Sequence, residues 1–248
     1  MSGKKASDSQ ATSIVGDSKL KTGFYGVLAQ LAIYGIPLIL TPFIIGTIGI
    51  EKFGAYGFAQ VTVSIVGVLI QYGFVQSGIR DIAACSSKNE ISQEFSTIFY
   101  SKALLTGLGL ILGCGLLLLD RYRQDGLLFA FTLTGLVPFW LDPSYVFQGI
   151  EKMRLFMLLN TLASMVAMFT IFVFLDSSHD YEMLPLMFNL PRICAYLFGI
   201  GILNSRFGIP LALPSREDIS GRLKDGFQFF ITNVLVVAYT RIHYVILG

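Results

Sequence analysis

Uncharged apolar runs alternate with short charged punctuation along almost the whole chain. No charged side chain occurs from Phe24 to Ile50, and none from Phe53 to Ile79. A bilayer core of roughly 30 Å takes about 20 helical residues, so each run can cross it. The pair Glu51-Lys52 between them predicts a tight turn at the membrane surface. Continuing in this way, the pattern predicts spans near 24–46, 55–79, 100–119, 126–148, 155–175, 183–203 and 227–247. Pro138 and Pro143 fall in the fourth span, and Pro185 and Pro191 in the sixth; neighbouring helices in a bundle can re-satisfy the backbone groups that proline frees. No stretch alternates with a period of two, so the fold class is an all-α polytopic membrane bundle of about seven helices.

Composition agrees. Apolar residues make up 54% of the 248, charged residues 14%, and mean hydropathy is +0.67. These values exclude a soluble domain of this length. Residues 1–20 are polar and predict a disordered tail. The apolar run after them is too long for the roughly 7–15-residue core of a cleavable signal peptide.

Lys and Arg are distributed very unevenly among the loops. One side receives twelve (Lys4, Lys5, Lys19, Lys21, Arg80, Lys88, Lys152, Arg154, Arg206, Arg216, Arg222, Lys224) and the other three (Lys52, Arg121, Arg123). The positive-inside rule then puts the N-terminus in the cytoplasm. Cys85, Cys114 and Cys194 show neither metal-ligand nor redox spacing and read as structural. No metal and no cofactor is expected, and no nucleic-acid partner.

Polar and small residues recur at helical spacing within the spans. Examples are Gln30, Tyr34 and Thr41; Gln60, Ser64, Gly67, Gln71 and Gly78; Asn160, Ser164 and Ala167; and Asn189, Arg192, Tyr196 and Gly199. Steps of three and four put each set on one helix face. Such stripes serve either helix packing or the wall of a polar cavity. Three cations sit inside apolar runs, Lys102, Arg192 and Arg241. A cation at membrane depth costs at least about 2.5–3.5 kcal/mol, so it normally faces the bundle interior and marks a pathway. Lys102, close to the start of its span, can instead snorkel to the interface. Arg80-Asp81, at the end of the second span, reads as a surface anchor, a gate or a coupling-ion site. His243, a lone histidine two residues past Arg241, reads as packing.

A longer ordered string carries more. Pro37 and Pro42, then Gly49, Phe53-Gly54, Tyr56, Phe58-Ala59, Tyr72-Gly73-Phe74 and Arg80-Asp81-Ile82-Ala83 resemble the opening hairpin of the O-antigen flippases. These are Wzx-type polysaccharide transporters of the MATE-like exporter superfamily. Trp140 with Phe147-Gln148-Gly149-Ile150-Glu151-Lys152-Met153 is similar to that family's element between its fourth and fifth helices, and Leu223–Gly248 to its seventh helix. The resemblance implies two six-helix lobes with the cargo between them. On that plan residues 21–205 are the first lobe, 206–226 a cytoplasmic inter-lobe linker, and 227–248 the first helix of a second lobe, so an N-terminal portion of a flippase is expected. It also implies an inner-membrane protein that flips undecaprenyl-diphosphate-linked O-antigen or capsule repeat units, driven by a proton or sodium gradient. Membrane lipids are partners, as are a polysaccharide polymerase and a chain-length regulator. Arg192, Arg241, Lys102, Asn189, Gln60 and Gln71 are then the candidates for holding the diphosphate-sugar in the cavity, and Arg80 and Asp81 for gating or coupling.

Enzyme signatures are missing: there is no HExxH, GxSxG, phosphate-binding or dinucleotide loop. Beside a non-transporting remnant with no activity, two rival readings are a cation-coupled drug exporter on the same fold, which favours buried carboxylates in the first spans, and an integral-membrane transferase of the same pathway. The short loops disfavour the second.

Overall fold

The computed structural model describes residues 35–177 and 180–227, together with 230, 231 and 235. Among these, every regular element is a helix. Five stretches are long and apolar enough to cross a membrane by length and composition, Ile50–Ala84, Lys88–Leu116, Gly126–Gly149, Met153–Phe174 and Asp180–Phe207; a shorter apolar helix, α1 (Gly35–Ile48), precedes them. The seventh expected span, 227–247, lies almost wholly outside the described residues, as do Gln30, Tyr34, Arg241 and His243.

The first turn differs from expectation. It is made by Gly49, at φ 87°, a conformation glycine adopts without strain. Glu51 and Lys52 already belong to α2 (Ile50–Gln71), where Glu51 sits in the first turn against the positive end of the helix dipole. The second span is broken too. Tyr72 and Gly73 are both left-handed, with φ 44° and 82°, and α3 (Phe74–Ala84) leaves in a new direction. A left-handed tyrosine is uncommon. Here its ring stacks on Phe230, 4.7 Å away, and packs on Phe74 at 5.4 Å, contacts that hold the bend.

α4 (Lys88–Leu116) begins twelve residues before the expected position. The polar run 88–99 reads as loop by hydropathy, but Ser87 and Glu90 form a capping box that starts the helix there. Ser87 Oγ accepts from the Glu90 N–H at 3.3 Å, and the Glu90 carboxylate accepts from the Ser86 N–H at 2.8 Å. The fourth span consists of three short helices, α6 (Gly126–Leu133), α7 (Leu136–Leu141) and α8 (Ser144–Gly149), broken at Thr134-Gly135 and at Asp142-Pro143. A single-turn α5 (Asp120–Arg123) precedes them. α9 (Met153–Phe174) and α10 (Leu184–Phe207) form the most extensive helix pair, and a 3-10 turn (Asp180–Met183) leads into α10. α10 stops at left-handed Gly208, with the Ile209 N–H returned to the Leu203 carbonyl at 3.0 Å. Residues 216–227 form α11.

The packing is inverted relative to a soluble protein. Ser96, Ser101, Lys102 and Thr132 are fully buried, whereas Leu108, Ile111, Phe169 and Phe198 are exposed. Four of the buried hydroxyls are satisfied within their own helices: Ser96, Ser101, Thr106 and Thr132 each donate to the carbonyl four residues back. Glycines bring the helices together. A Cβ on Gly67 would meet the Phe139 ring at 2.5 Å, and one on Gly113 would meet Leu133 at 2.4 Å.

Two of the sequence strings meet in space. Gly149 lies so close to Ile82 that a Cβ would come within 2.6 Å of its Cγ2. Phe147 and Ile82 share one buried cluster with Phe74, Phe95, Tyr145 and Leu203. Arg80–Ala83 and Phe147–Met153 therefore interlock, and left-handed Glu151 (φ 59°) makes the turn into α9.

Candidate functional site

The polar positions on α9 are brought to a cavity. Asn160, Ser164 and Ala167 follow one another at steps of four and three, and with Arg192 and Phe188 of α10 and Pro37 of α1 they enclose about 130 Å³. Ala163 and Ala167 are small enough to let α10 approach. The Ser164 hydroxyl donates to the Asn160 carbonyl at 2.9 Å. Asn160 Oδ1 is buried and has no partner among the described residues.

Arg192 itself is exposed. Tyr56 accepts from Gln60 Nε2 at 2.7 Å and stacks on Phe188, 6.3 Å between centroids, so α2 packs behind Phe188, and Gln60 does not itself line the cavity. The result is a guanidinium with five donors, next to an unspent amide acceptor, at membrane depth. That set suits a ligand carrying anionic oxygens together with hydroxyl donors.

The other candidates fall elsewhere. Asn189 is buried and donates to Thr134 Oγ1 at 3.0 Å, which places it in the α10 contact with the α6–α7 break. Gln71 ends α2, eleven residues from Gln60 and so about 16 Å along the helix. Gly67 and Gly78 are packing positions, the second against Ile98 and Tyr145.

Lys102 does not snorkel. It is the fifteenth of the 29 residues of α4 and is 0% exposed. Its Nζ donates to the Asp142 carbonyl at 3.2 Å and lies 5.4 Å from the Tyr145 ring centroid. The α7–α8 break leaves that carbonyl without an intrahelical donor, and the lysine supplies one. The Asp142 carboxylate in turn accepts from the Ser144 N–H and hydroxyl, both at 2.9 Å. Lys102 is thus occupied by the helix break and does not line the Arg192 cavity.

Arg80 and Asp81 belong to a separate cluster. Arg80 Nε donates to Asp81 Oδ1 at 2.8 Å from an exposed position. Asp81 Oδ2 accepts from Arg222 Nη1 at 2.6 Å, and the same Nη1 lies 3.5 Å from Glu94 Oε2. Sequence reasoning counted Arg222 only as a loop charge. The signal was present in the helical spacing of Ile219, Leu223 and Gly226, which puts Arg222 near the docked face of α11. Outside the spans, burial first, then Glu94, Glu90 and Asp81, pushes the Cys85 thiol above its usual range. Among the described residues no three His, Cys, Asp or Glu side chains assemble into a metal site.

The family model for polysaccharide biosynthesis proteins matches residues 20–248. The chain belongs to that family. It is also 26% identical over 226 residues to a protein of Escherichia coli (strain K12) named "Putative O-antigen transporter", covering 90% of this chain and 54% of that one. A protein of the same name from Shigella dysenteriae is 24% identical over 223 residues, covering 89% and 56%. The chain spans about half the length of these curated relatives. No solved structure matches it. The resemblance to the O-antigen flippases drawn from the Pro37–Ala83 and Trp140–Met153 strings is borne out, as is the helical membrane fold.

Proposed function

We propose that this polysaccharide-family chain takes part in moving a lipid-linked, diphosphate-bearing sugar repeat unit across the bacterial inner membrane, with its N-terminus in the cytoplasm. The observation that carries the reading is the Arg192 cavity: an exposed guanidinium beside half-buried Asn160 and Ser164, with the Asn160 Oδ1 atom itself buried and unpartnered among the described residues. Desolvated phosphate oxygens need such a donor, and sugar hydroxyls need an acceptor such as Asn160 Oδ1. In this reading residues 21–205 are one lobe, 206–226 the linker and 227–248 the start of a second lobe, with Arg241 adding a second cation. An ion gradient supplies the drive, and polymerase and chain-length regulator receive the product. The polysaccharide family and the names of the relatives favour this cargo over a cationic drug.

The test is binding of undecaprenyl diphosphate to the purified chain in nanodiscs, with uncharged undecaprenol as control. A charge-assisted hydrogen bond is worth about 1.5–3 kcal/mol, so Arg192→Ala should weaken diphosphate binding about 10- to 100-fold and leave the undecaprenol signal unchanged. Equal affinity of wild type and variant for the diphosphate would remove the role assigned to Arg192.

A further inference from the structure

Arg222 is the buried charge that the cavity does not use. Its side chain is 10% exposed, yet only Nη1 reaches a carboxylate. Nε and Nη2 are buried without a partner among the described residues. A guanidinium normally grips carboxylates through its fork. Here it touches two of them end-on, one from α3 and one from α4, with most of its desolvation unrepaid. Removing such a charge from water costs more than a single contact returns. The docked arrangement is therefore held only weakly over one in which Arg222 is hydrated.

The segment on either side behaves differently. Residues 209–212 are fastened to α4 by backbone bonds: Ser92 Oγ donates to the Pro210 carbonyl, and Ser96 Oγ accepts from the Ala212 N–H at 2.8 Å. Ile209 is 3% exposed. Leu213, Pro214 and Ser215 then cross without regular structure, and Leu213 is 86% exposed. α11 follows, capped by Ser215, which accepts from the Asp218 N–H at 3.1 Å. A fixed strap, an exposed three-residue crossing and a rigid helix with an under-satisfied charge pair are the parts of a hinged latch.

We propose that α11 is a latch that swings about Leu213–Ser215 and is held closed by Arg222 on Asp81 and Glu94. The closed latch also secures the α2–α3 bend. Gly226 presses on Tyr72, where a Cβ would come within 2.9 Å of the ring, and Phe230 stacks on the same ring. Opening removes both supports from the left-handed Tyr72. The inference stands on these contacts and not on the identity of the cargo.

Electron-electron distance measurement on the full chain in nanodiscs tests it. Spin labels at Asn204→Cys on α10 and Glu217→Cys on α11, in a background with Cys85, Cys114 and Cys194 replaced by serine, report the latch angle without touching the ion pairs. Wild type should show a short distance with a second, longer population that grows at least twofold between 0.05 and about 1 M salt, where screening shortens to about 3 Å. Arg222→Gln should make the longer population dominant, and the exchanged pair Asp81→Arg with Arg222→Asp, combined with Glu94→Gln to remove the facing carboxylate, should restore the short one. A single unchanged distance in wild type at all salt concentrations would overturn the hinge. An Arg222→Gln distribution identical to wild type would overturn the role of the ion pair.

Discussion

Two intramembrane cations of similar sequence context have opposite surroundings, and substitution should separate them. Lys102 is fully buried and spends its charge on the Asp142 carbonyl. Lys102→Met keeps the stem volume but leaves that carbonyl unpaired, which costs about 1–3 kcal/mol. Thermal unfolding in detergent should show it as a lower midpoint; an unchanged midpoint would mean that the break is satisfied in another way. Arg192 is exposed and packs against little. Arg192→Ala should leave the midpoint where it is while weakening diphosphate binding, so the pair of variants distinguishes a structural cation from a ligand-facing one. Hydropathy could identify both as costly, but not tell them apart. What decided the matter was the capping box at Ser87, which starts α4 early and moves Lys102 from the expected interface to mid-helix.

At the level of helices, the existence of spans was legible because an uncharged run of 20 or more residues has few alternatives in this composition. Their interruptions were not. The prolines pointed to the fourth span, yet of its two breaks one is at Thr134-Gly135 and the other at Asp142-Pro143, while Pro138 sits within α7. Tyr72-Gly73 breaks the second span with no proline at all. These bends are set by what packs on them, which hydropathy does not record. The contact of Gly149 with Ile82 can be tested directly. Gly149→Ala forces a methyl into a space 2.6 Å from Ile82 Cγ2, and overpacking of this kind costs about 1–3 kcal/mol. Adding Ile82→Ala should recover part of the loss, giving a coupling energy in a double-mutant cycle that two independent sites would lack.

For the molecule as a whole, the orientation proposed from the charge asymmetry puts the end bearing Ser87 in the cytoplasm and the end bearing Ser177 outside. In a cysteine-free background, Ser177→Cys should react with a membrane-impermeant maleimide in intact spheroplasts and Ser87→Cys only after lysis. The reverse pattern would invert the proposed orientation. Native Cys85 is a poor reporter, because burial holds its thiol above the usual range and leaves little thiolate. The site was only partly legible for a related reason. The Asn160–Ser164 stripe and Arg192 were visible as helical faces, but that they face one cavity depends on which side of α9 meets α10. Asn189 and Gln71, similar by spacing, go to a packing contact and to a helix end.

Two stretches of the strings by which this chain is recognised are, in space, the two halves of one joint. Arg80–Ala83 and Phe147–Met153 touch each other through Ile82 and Gly149, and neither reaches the Arg192 cavity. They behave as grammar, not vocabulary: they say how the helices are assembled and nothing of what is carried. If the proposed function holds, a change in cargo should be written instead along the inner faces of α9 and α10, at positions such as Asn160, Ser164 and Arg192.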